Sequence, residues 1–141
     1  MDLQRRLATA QGLYFAATGL WPIVHLRSFE AITGPKPEGW LVKTVGALVT
    51  TIGGTLIAAG RRGRITPEVA GLAMGSSAAL AAVDVIYAAR RRIAPVYLGD
   101  ALLEGALLGA WSFALLRERK RRTQLPMQVG ISAITLAELR R

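Results

Sequence analysis

The apolar positions of this chain gather into four blocks, residues 7–26, 41–60, 67–89 and 95–116, and most charges lie between them. Each block is about 20 residues long. At a helical rise of about 1.5 Å per residue, that length covers a hydrocarbon core of about 30 Å. Thr66-Pro67-Glu68 has the order of a helix start: a capping hydroxyl, then proline, then an acid in the first turn. Ala94-Pro95 marks a second break. Residues 27–40 carry Gly34-Pro35 and Pro37 and read as a true loop, whereas 61–66 and 90–94 are short links. Short links force neighbouring helices to run antiparallel. The pattern predicts an all-α, antiparallel up-down four-helix transmembrane bundle over residues 1–122. Residues 123–141 are left as a tail, either a short interfacial helix or an unfolded segment.

Composition sharpens this picture. Hydrophobic residues make up 52% of 141, and mean hydropathy is +0.35. The net charge of +9 would suggest nucleic acid in a soluble domain. Here the basic residues flank apolar blocks, so no nucleic-acid partner is expected; membrane lipids with anionic headgroups are. There is no cysteine, so disulfides, thiolate metal sites and dithiol redox chemistry within this chain are excluded. Arg5-Arg6 before an apolar run resembles a signal peptide. That run is longer than a usual signal core, however, and no small-x-small site closes it, so an uncleaved first span is expected.

The basic residues also set an orientation. The N-terminus, the 61–66 link and the C-terminal tail carry 12 of the 18 Lys and Arg residues, and the other side carries 6, counting Lys43 at the start of the second block. Both termini are therefore expected in the cytoplasm, with the protein a multi-pass resident of the cell inner membrane.

Candidate chemistry lies on the polar stripes. Asp100 and Glu104 share one helix face inside the fourth block. An acid at mid-membrane costs about 2.5–3.5 kcal/mol on insertion scales, so the pair is the strongest candidate for a site. Tyr97 and Trp111 share that face. Tyr14, Thr18, Trp21 and His25 form a stripe on the first block, Thr44, Thr51 and Thr55 on the second, and Asp84, Tyr87 and Arg91 on the third. Antiparallel order brings the end of the first block, the start of the second, the end of the third and the start of the fourth to one membrane face. Glu104 then lies about 13 Å deep, nine residues past Pro95.

The candidate ligand-binding set is Asp100, Glu104, His25, Asp84, Trp21, Tyr87 and Tyr97. The acids would supply charge, His25 hydrogen bonding and the aromatic residues walls. The ligand would be a small amphipathic or cationic molecule, or a lipid. A structural reading stands beside it, in which His25, Lys43 and Arg90–Arg92 neutralise the acids and lock the bundle. Two further readings are open. One is a scaffold or accessory subunit that packs against a second copy or a membrane partner through Gly71-x-x-x-Gly75 and Gly105-x-x-x-Gly109. The other is an enzyme in which His25 and a carboxylate serve as base and acid on a lipid-like substrate. No nucleotide motif, catalytic triad or tight metal motif is present, so no cofactor is expected.

Three runs, TGLWPIVHLRSFEAITGPK (18–36), WLVKTVGALV (40–49) and APVYLGDALLEG (94–105), resemble a group of small bacterial four-helix membrane proteins. The layout is more loosely similar to DoxX-like membrane proteins. The resemblance implies a four-pass bundle in a bacterial inner membrane and carries no activity with it. The absence of cysteine departs from the thiol-redox role associated with DoxX-type assemblies.

Overall fold

The computed structural model describes the backbone of residues 2–139 and the side chains of residues 2–120. Among the described residues the protein is all-helical and contains no strand. The helices are α1 (Asp2–Val24), α2 (Leu26–Thr33), α3 (Gly39–Arg62), α4 (Pro67–Ala89) and α5 (Val96–Leu139). Three segments are long and apolar enough to cross a membrane: Gly39–Arg62, Pro67–Ala89 and Val96–Lys120. They match the second, third and fourth blocks. The helix α1 has 23 residues but carries more polar positions, and two of them, Gln4 and Gln11, are buried inside the molecule.

Two boundaries differ from expectation. The 27–40 segment is not wholly a loop, because α2 occupies its first half. Its leading residue, His25, leaves the helical conformation, and its Nδ1 accepts a hydrogen bond from the Ser28 amide at 3.2 Å. That is the capping geometry that starts a new helix. The last helix does not stop near residue 116 but continues to Leu139. The tail expected over 123–141 falls outside the residues whose side chains are described. As expected, Thr66 caps α4, with its hydroxyl accepting from the Val69 amide at 3.2 Å and Pro67 in the first turn.

The most extensive contact in the molecule joins α1 and α3, and the next joins α4 and α5. The α1–α3 pair is antiparallel: Gly12 faces Gly53, Gly19 faces Gly46, and Arg5 and Thr9 face Gly60. These glycines recur every seven residues on each helix, the spacing that keeps one seam in contact along a shallowly crossed pair. In lipid, where water exclusion does not draw helices together, such close backbone approach is what van der Waals attraction requires. At the end of the pair, Arg5 donates to the Gly60 carbonyl at 3.0 Å and to the Arg61 carbonyl at 3.1 Å. A cation thus covers carbonyls that the end of α3 leaves open.

Of the glycines expected to let helices approach, Gly46 and Gly53 of the second block are used in the α1–α3 seam, whereas those of the third and fourth blocks are not. Side chains added at Gly71, Gly75, Gly105 or Gly109 would meet nothing within 4 Å. Their spacing is right for contact, but within this chain their faces look outward. The threonine stripe of α3 also faces out: Thr44, Thr51 and Thr55 are exposed, and each hydroxyl donates to the carbonyl four residues back. A hydroxyl satisfied in this way can face hydrocarbon.

The two helix pairs meet around a small apolar core of Ala8, Leu56, Ala70, Ala73 and Trp111. These residues come from α1, α3, α4 and α5, so the core ties together all four long helices at the end opposite α2.

A Cβ on Gly53 would stand 2.6 Å from the Gly12 carbonyl oxygen and 2.7 Å from the Ala16 amide nitrogen, both of them backbone atoms. Gly53→Ala should therefore lower stability by about 1–3 kcal/mol, the usual range for overpacking. Gly75→Ala, in open space, should not. Thermal unfolding of the two variants in detergent checks the contrast.

Candidate functional site

At the α2 end of the molecule the long helices separate around a cavity of 590 Å³. Its near edge is the last glycine contact of the α1–α3 seam, Gly19 with Gly46, and both residues line it. Tyr14, Phe15, Trp21 and Pro22 form the α1 wall, and Val42, Val45 and Val49 the α3 wall. Opposite them α5 supplies Val96, Tyr97, Asp100 and Glu104. Phe29, Ile32 and Thr33 of α2 cover the end.

Polarity within this apolar space is concentrated in the acids. Glu104 is fully buried, and neither of its carboxylate oxygens has a hydrogen-bond partner. Ser77 of α4 lies beside it without reaching hydrogen-bonding geometry. Asp100 accepts a hydrogen bond from the Tyr14 hydroxyl. Asp84, also buried, stands against Asp100 from α4, and its Oδ2 is unpartnered. Three carboxyl groups therefore cluster in and behind one wall. Burying unpartnered polar groups of this kind is unfavourable.

Directly beyond the acids the interior closes. The Gln11 amide donates to the Ala73 carbonyl at 2.9 Å and to the Ser77 hydroxyl at 3.1 Å, and its oxygen accepts from the Trp111 indole at 2.8 Å. Gln11, Ser77 and Trp111 are all fully buried. This knot joins α1, α4 and α5, and the apolar core lies behind it. Gln11, Ser77 and Trp111 lie outside the cavity lining, on the side of the acids away from α2.

The structure brings together four of the seven candidate residues on the cavity wall: Trp21, Tyr97, Asp100 and Glu104. Asp84 stands one layer behind. His25 does not join them. Because α1 ends at Val24, the helical spacing that placed His25 below Trp21 no longer applies, and its ring is exposed and used for capping. Tyr87 is 38% exposed on α4 and does not line the cavity. The pairing of His25 with a carboxylate is therefore not assembled there.

The expected cations are also placed differently. Lys43 and Arg90–Arg92 are exposed, and neither Lys43 nor the arginines line the cavity. Lys36 does. Its ammonium lies 5.2 Å from the centre of the Tyr97 ring and donates to the Thr33 carbonyl at 2.9 Å. No periodicity marks Lys36, which follows Gly34-Pro35 in a loop. Trp21 is fixed by an indole hydrogen bond to the Ser28 hydroxyl at 2.8 Å and by an edge-on contact with Phe29 at 5.4 Å. Tyr14 and Gln11 complete the arrangement. The first was legible only as a stripe member, and the second is one polar residue in a helix whose partners lie on other helices.

Comparison with protein-family models, with curated proteins and with solved structures finds no match to this chain.

The knot below the acids makes a stability prediction. Trp111→Phe leaves the Gln11 oxygen buried without a donor and should cost about 1–3 kcal/mol. Replacing both residues, Gln11→Leu with Trp111→Phe, should cost less than the sum of the single changes, because the bond between them is then lost once and neither of its two ends is left stranded. Denaturation of the four proteins in mixed micelles, followed by circular dichroism, closes this cycle.

Proposed function

We propose that the protein is a four-pass membrane protein whose cavity binds a small amphipathic cation: an apolar body carrying an ammonium group. One observation carries this reading. Glu104 is fully buried on the cavity wall, and both of its oxygens lack a partner. Asp100 shares that wall and Asp84 backs it, while the remaining lining is mainly aromatic and aliphatic. A ligand ammonium would supply the missing donors and positive charge, and its apolar body would cover Phe15, Trp21, Val45 and Val49. The cavity volume falls within the range typical of small-molecule sites.

In this reading α1 is the fourth span, with Gln4 and Gln11 turned inward and Leu13, Leu20 and Ile23 exposed to lipid. The resemblance to small bacterial four-helix proteins supports an inner-membrane location. The 12-to-6 division of basic residues supports cytoplasmic termini.

Decylammonium binding to the protein in nanodiscs tests the site. Asp100→Asn combined with Glu104→Gln should weaken affinity at least about thirtyfold, the lower part of the range for truncating a buried charge contact. The variant should still insert and unfold cooperatively. Unchanged affinity would exclude the carboxylates as the recognition element. Orientation has its own test, aided by the absence of native cysteine. In intact cells Lys36→Cys should react with a membrane-impermeant maleimide, whereas Asp2→Cys should react only after the membrane is opened.

A further inference from the structure

At its α2 end the cavity is only partly covered, since the lining residues Ile32 and Leu41 remain exposed, and the side between α3 and α5 is open as well. Over the α2 end, α2 packs on α1 and reaches α5, and Lys36 lies across Tyr97. The helices α3 and α5 line the cavity from facing directions but make almost no direct contact with each other. The rim of that gap is apolar. Val45 is 48% exposed on α3 and Val96 is 47% exposed on α5, and both line the cavity. Gly99, also a lining residue, has nothing within 4 Å of the position a Cβ would take, so the α5 edge is bare backbone. No charged side chain of α3 lines the cavity.

We infer that the cavity fills sideways from the bilayer, through the gap between α3 and α5, and that its ligand is a membrane-resident alkylammonium whose chain stays in lipid while its ammonium reaches Asp100 and Glu104. This rests on the binding reading above and adds the route and the ligand class.

The chemistry of the gap selects this occupant. A small hydrated cation would have to cross an apolar rim without its water, which is unfavourable. An alkyl chain crosses the same rim at little cost, because lipid and valine side chains are alike as solvents for it. An anionic amphiphile would bring no donor to the buried carboxyl groups, and a neutral one would bring a donor without positive charge. A single-chain amine meets the cost of losing water at its ammonium too, but its chain holds it in the bilayer beside the gap, and its ammonium brings the donors that Glu104 lacks.

The test uses decylammonium and the intact protein in nanodiscs, with association and dissociation rates measured separately. Gly99→Trp places a large side chain in the gap, and Val45→Trp does so independently from the other helix. Gly109→Trp, also in open space on α5 but away from the cavity, is the control. If the gap is the route, each gap variant should slow association and dissociation together by tenfold or more, with Kd changed less than threefold, and the control should match wild type. A barrier on the route acts on both directions, whereas a filled cavity acts on Kd. Weakened Kd with unchanged association in both gap variants would overturn the lateral route and leave binding intact. Unchanged rates in both would do the same. If the wild-type protein itself shows no saturable binding, the binding reading fails and the route fails with it.

Discussion

The close approach of α1 and α3 is the constraint on which the rest of the molecule depends. It is made at backbone level, by glycines that face one another at seven-residue intervals, with an arginine closing one end. Such a seam cannot slide or swing without separating the backbones, because no flexible side chain fills the space between them. It therefore fixes where the pair opens. Contact persists to Gly19 and Gly46 and then gives way to larger residues and to Pro22. The cavity begins at that point and inherits its position from the seam.

The second helix pair is held in a different way. The helices α4 and α5 bring most of the ionisable interior, and the polar knot of Gln11, Ser77 and Trp111 fastens them to α1. A fully satisfied buried network gives direction as well as attachment, since each bond has one acceptable geometry. It presents the Glu104 face to the cavity and shields the apolar core from it. Glu104 is the one member of this interior left without hydrogen-bond partners at either oxygen. The contrast between a saturated glutamine on α1 and an unsaturated glutamate on α5 is the asymmetry of this interior.

How much of this was legible in the chain depended on the kind of signal. Helices α3 and α4 and the start of α5 follow from block length, Thr66-Pro67 and Ala94-Pro95, because those features act locally. Asp100 and Glu104 were legible because acids inside an apolar block have no ordinary explanation. Trp21 and Tyr97 followed by helical spacing. His25 did not, since spacing carries a residue forward only while the helix continues, and His25 is itself the residue at which the helix changes. The same switch made α2, which an eight-residue stretch between glycine and proline does not announce. Lys36 and Gln11 depend on tertiary placement, one on a loop folding over an aromatic ring and the other on partners more than sixty residues away. Gly46 and Gly53 were legible as contact positions, whereas the glycines at 71, 75, 105 and 109 are not used within the chain, for a physical reason as well. A four-residue glycine spacing and a seven-residue one both make a smooth helix face, and only the partner helix decides which face is used.

The Arg5 cap on the end of α3 has a consequence for the order in which the protein is made. Everything the α1–α3 seam needs, including the carbonyls that Arg5 covers, is present once residue 62 has left the ribosome. The acids Asp84, Asp100 and Glu104 are all synthesised later. The α1–α3 half of the molecule can therefore assemble first as a hairpin, and the carboxylates arrive to find a surface that includes Tyr14 and Gln11.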